Sequence, residues 1–146
     1  MKNNRGFSLL ELLIVVAIIL IIATIAIPSL LRSRQAANES SAVANLRTIN
    51  TAEVTYLSSA GGNFGTVTDL ITAGLIDSRF TGPVSGYSFG ITASVSDYTA
   101  TATPTSTNSG RYGYYSTPDA VVRYATAAGG TCSPCFPTGM SGNPVQ

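Results

Sequence analysis

At 146 residues the chain is too short for two domains with full cores of their own, and one compact domain with an appendage is the natural arrangement. Its formal net charge of +1, with no basic run beyond the first five residues, leaves no electrostatic footprint for nucleic acid. The absence of His and Trp thins the catalytic and metal-binding readings, while 10% charged residues and a mean hydropathy of +0.27 suit a membrane or assembly protein.

Lys2 and Arg5 precede a run, Phe7 to Ile27, whose one charged side chain is Glu11. As a helix that run would be about 31 Å long, the thickness of a bilayer hydrocarbon core. The basic residues ahead of it predict a cytoplasmic N-terminus with the rest of the chain sent outward. An ordinary cleaved signal peptide is one alternative, but the run exceeds the usual apolar region and Ala23 to Pro28 makes a poor cleavage site. A plain single-span anchor is another, and it gives Glu11 no role. A carboxylate costs about 2.5–3.5 kcal/mol at the membrane centre and less near the interface. Glu11 therefore needs a partner or a task.

Pro28 removes a helical hydrogen bond and crowds the preceding turn, at about 3 kcal/mol or more unless the helix bends. Beyond it, Val43, Leu46, Ile49 or Asn50, Val54 and Leu57 recur at helical spacing, and Gly61-Gly62 supplies a stop. The pattern predicts one kinked helix from Phe7 to about Ser59, roughly 80 Å long. Thr66-Val-Thr-Asp69 reads as a capping box opening a short helix over about Val67–Ala73. Apolar and polar residues alternate over Tyr87–Ala93 and over Tyr98 up to Pro104, and shorter runs follow at Tyr112–Tyr115 and Ala120–Tyr124 around a Thr117-Pro118-Asp119 turn. The predicted fold class is α+β: a long N-terminal helix packed on a small antiparallel sheet of roughly four strands. The divisions are 1–6 as a leader, 7–28 as an apolar helix, 29–59 as its amphipathic half and 60–146 as the sheet domain.

Thr105 to Gly110 is a polar, turn-rich loop. Cys132-Ser-Pro-Cys135 lies among loop signals, and outside the cytoplasm a disulfide is its expected state. A thiol redox pair is the sharper alternative, and half a zinc site a third that lacks further ligands. Tyr112, Tyr114 and Tyr115 could stack bases, but Arg111 and Arg123 alone are too little charge for phosphates. Strand spacing instead has two of them straddling the sheet as core and surface residues. No catalytic, cofactor-binding or metal-binding set emerges.

The N-terminal stretch G-F-S-L-L-E-L-L-I-V-V-A-I-I-L-I-I-A-T-I-A-I-P resembles that of type IV pilins and of the pseudopilins of type II secretion. The resemblance implies a basic leader cut after Gly6 by a prepilin peptidase, N-methylation of Phe7, and a role in assembly for Glu11 with Phe7. It also implies a helix-perturbing proline at Pro28. Many pilins carry a glycine about eight residues before that proline, where this chain has Leu20. Leucine favours helix there by about 1 kcal/mol. Members often tie a C-terminal loop with a disulfide, usually across a longer span than Cys132 to Cys135.

The function implied is that of a structural subunit, not an enzyme. It would polymerise with its own copies into a filament, served by an inner-membrane platform protein and a cytoplasmic ATPase. It would be stored as a single-pass inner-membrane protein before joining an extracellular or periplasmic filament. A pseudopilin is the alternative within that class. The lack of Asp or Glu after Asp119 leans against it, because major pseudopilins often carry an acidic calcium loop there. A membrane-anchored thiol oxidoreductase using Cys132 and Cys135, or a solute-binding or adhesive module on a simple anchor, are the rivals from other classes.

Overall fold

A computed structural model describes residues 7–126 and 142–145. The long helix α1 runs Leu9–Ser59 and continues through Pro28. Contacts divide the chain into a first unit ending at Ser33 and a second beginning at Arg34.

In the second unit α1 stops where the sequence anticipates. The Gly62 N–H reaches back to the Leu57 carbonyl at 3.1 Å, and Gly61 and Gly62 both take positive φ, +68° and +89°. This is the left-handed exit that glycine makes at little cost. The short helix α2, Val67–Thr72, opens on the capping box: the Asp69 N–H donates to the Thr66 hydroxyl and the Thr66 N–H to the Asp69 carboxylate. A 3-10 turn over Ser78–Thr81 follows, capped by Asp77 through the Arg79 N–H, and was not anticipated.

Five strands make one antiparallel sheet in chain order: β1 Tyr87–Ala93, β2 Tyr98–Pro104, β3 Tyr112–Ser116, β4 Arg123–Thr126 and β5 Asn143–Pro144. β1 and β2 pair along their full lengths, from Tyr87 opposite Pro104 to Ala93 opposite Tyr98. β4 begins three residues later than the expected Ala120–Tyr124. Asp119 extends the turn by accepting from the Thr117 hydroxyl and the Val121 N–H, and Ala120 sits at φ +59°. β5 adds the fifth strand; two residues, one of them proline, carry no alternating pattern to read.

The core lies between one stripe of α1 and one face of the sheet. Ala42, Leu46 and Ile49 share it with Leu70, Phe80, Tyr98, Ala100 and Ala102. Small Ala100 and Ala102 on β2 leave room for the helix side chains above them. Leu46 and Ile49 are fully buried, each contributing about 1.5–3 kcal/mol.

The expected stripe needs one correction, since Val54 is 55% exposed. The buried face passes through Ile49, Asn50, Ala52 and Glu53, so Glu53 takes the inward position. A count of apolar residues alone cannot register a buried carboxyl. The tyrosines differ as well. Tyr114 and Tyr115 are both buried, because Gly142 crosses the far face of β3 and its N–H donates to the Tyr115 hydroxyl at 2.9 Å.

Candidate assembly helix

The first unit inverts the usual distribution of side chains. Among the described residues, every exposed large hydrophobic except Val54 and Val95 lies between Phe7 and Leu31. Phe7 and Leu9 are each 80% exposed. This part of α1 is long and apolar enough to cross a membrane. So much apolar surface is incompatible with a lone subunit in water and requires lipid or other protein around it.

Glu11 stands in the first turn of α1. Ser8 precedes the helix and supplies its first carbonyl acceptor, for the Leu12 N–H at 3.2 Å. The Glu11 carboxylate accepts from the Ser8 N–H at 3.3 Å. The side chain thus reaches back to a backbone donor that the helix leaves unpaired, the acidic half of a capping box. Sequence reasoning, occupied with a partner for the carboxylate, missed this use of Ser8, although S-x-x-E is its signature. Thr24, near the far end of the run, turns its hydroxyl back onto the Ile21 carbonyl at 2.7 Å, so that polar side chain is also satisfied within the helix.

Residues 1–27 match the family described as the prokaryotic N-terminal methylation motif. Over 56 residues the chain is 47% identical to the type IV major pilin protein PilA of Myxococcus xanthus, covering 38% of this chain and 26% of that protein. Over 46 residues it is 52% identical to the type IV wide pilus major component PilA4 of Thermus thermophilus, covering 32% of this chain and 35% of that protein. The N-terminus is similar to those of these type IV pilus proteins. The matches span about a quarter to a third of those pilins. No solved structure matches the chain.

Of the residues that pilin resemblance singles out, Phe7, Glu11 and Pro28 all lie in the first unit, with Pro28 inside α1. Gly6, Cys132 and Cys135 fall outside the described residues.

In the second unit α1 carries a polar seam that the sequence did not disclose. Gln35 donates to the Thr107 carbonyl at 2.8 Å and Asn38 to the Ser109 carbonyl at 2.9 Å. Glu39, nearly buried, accepts from the Arg111 backbone N–H at 2.8 Å and from two of its guanidinium nitrogens at 3.2 and 3.1 Å. These three helix residues hold the β2–β3 loop at Thr107, Ser109 and Arg111. Their partners are more than 70 residues away, and local pattern carries no signal at that separation.

Proposed function

We propose that the chain is a structural subunit that polymerises with its own copies into a type IV pilus filament. The observation that carries this reading is the exposed apolar stretch Phe7–Leu31, found on a helix whose N-terminus is pilin-type. Before assembly that surface would lie in the inner membrane, with the N-terminus cytoplasmic. Afterwards it would lie against the same stretch of other copies, where removal from water contributes roughly 25 cal/mol per Å². Lipid already covers it in the membrane, so extraction has to be driven, by a cytoplasmic ATPase acting through a platform protein. The role is architectural, not enzymatic.

Maturation would cut after Gly6, where a residue without a side chain lets a peptidase approach the backbone, and methylate Phe7. The new α-amine lies one turn from Glu11. Among the described residues Glu11 is held by the Ser8 amide. An incoming subunit's charged amine is the stronger partner, because it adds to the hydrogen bond a charge–charge attraction that the neutral Ser8 amide lacks, offset in part by desolvation. Exchanging one for the other would fix the axial register of two helices.

Intact-mass measurement of protein sheared from cells tests the reading, with filaments imaged in the same material. The expected result is filaments built of a chain beginning at methylated Phe7, and no filaments from Gly6→Val. Sheared protein that retains residues 1–6, or filaments made of another chain, would defeat it.

A further inference from the structure

Glu53 has no solvent exposure. One carboxylate oxygen, Oε2, accepts from the Gly65 backbone N–H at 3.0 Å, and the other, Oε1, has no hydrogen-bond partner. Gly65 immediately precedes Thr66, the N-cap of α2. A Cβ at Gly65 would come within 2.9 Å of the Tyr56 ring, so the backbone there lies against α1. The single bond from Glu53 therefore ties the connection after α1 to the helix.

Apart from the Gly65 N–H, no described group facing this carboxyl favours its charged form. Asp69 on α2 and Tyr98 on β2 interact with it electrostatically, and neither can supply a positive charge. On α1 itself, Asn50 is engaged by the Tyr98 hydroxyl at 3.0 Å. No salt bridge reaches Glu53 among the described residues. Burial pushes its pKa above the ordinary 4.5 and Asp69 pushes the same way, while the Gly65 N–H opposes them. Flanking the connection, Gly61 and Gly62 are exposed and already at positive φ, a place where the backbone can swing at low cost.

We propose that Glu53 is a proton-operated clasp: with its proton it holds Gly65 and the start of α2 against α1, and without it the Gly61–Gly65 connection opens to hydrate the carboxylate. The sign follows from linkage. The closed form keeps the proton to higher pH than the open form. Between 4.5 and Glu53's own midpoint, opening becomes more frequent as pH rises, and above that midpoint it levels off. Acid closes the clasp and alkali opens it.

The test uses the full chain in detergent micelles, with two readouts followed against pH. Infrared absorption detects a protonated carboxylic acid, and amide exchange at Gly65, corrected for its intrinsic pH dependence, reports opening. Wild type should keep one protonated acid above the ordinary glutamate range, absent from Glu53→Gln. Gly65 opening should rise and level off with that acid's midpoint in wild type and stay flat in the variant. If Glu53→Gln does not fold, coincident wild-type midpoints for the two readouts support the clasp and divergent ones overturn it. A wild-type spectrum with no such acid, or equal Gly65 profiles in the two proteins, also overturns it.

Discussion

The two parts of α1 use their side chains in opposite senses. From Phe7 to Leu31 the helix exposes almost every large apolar residue it has, while within the second unit it buries Glu39, Asn45, Asn50 and Glu53. An exposed leucine costs nothing once lipid or another copy covers it. A buried carboxyl is tolerable only with donors at hand, and Glu39 has three from Arg111. The difference teaches that the two stretches answer to different solvents. The first is finished by something outside the chain, the second by the chain itself.

That contrast can be broken most severely in the second unit's core. Leu46→Ala should cost about 2–5 kcal/mol, read as a lower denaturant midpoint of the sheet domain, with membrane partition unchanged. A matching loss of membrane binding would show that the two stretches are not independent. Glu39→Ala is a smaller lesion. It strands the Arg111 backbone N–H but lets the exposed guanidinium return to water, so about 1–3 kcal/mol is expected. Faster amide exchange at Arg111 and across 105–111 should accompany it.

Acid supplies a gentler probe. Hydrogen bonds from Thr66 hold Asp69 below the ordinary 3.8, and the Arg123 guanidinium does the same for Asp119. For both groups the unfolded chain binds protons more readily, so their contribution is present above 3.8 and is lost as pH falls below it. Glu53 acts in the other direction as pH rises. The unfolding midpoint of the sheet domain should therefore peak in mild acid and decline on both sides. A midpoint rising steadily to neutrality would contradict the burial of Glu53 as a neutral acid.

Much of this architecture is legible in the chain because local pattern carries it. The apolar run, the Gly61-Gly62 stop and the Thr66–Asp69 box depend on neighbours a few residues away. β1 and β2 are legible from the alternation of Tyr87–Ala93 and Tyr98–Pro104. What escapes reading is set by distant contacts or by polar residues in apolar roles. Glu53 displaces Val54 from the inward face, and the late start of β4 hangs on one carboxylate in the turn at Asp119. Tyr115 is covered by backbone from Gly142, 27 positions on. In the candidate site, Glu11 stands out as a lone charge in the sequence, and the S-x-x-E spacing carries the signal for its bond to Ser8, which a search for a distant charged partner passes over.

The central claim is that the apolar stretch is an assembly surface whose lone carboxylate selects register between copies. Glu11→Val tests it most directly, by comparing the amounts of membrane-bound and sheared filament protein with wild type. The variant should enter the membrane at least as well, since the apolar run becomes continuous, and its sheared filament fraction should be largely lost. Abundant, normally ordered filaments from Glu11→Val would contradict the claim.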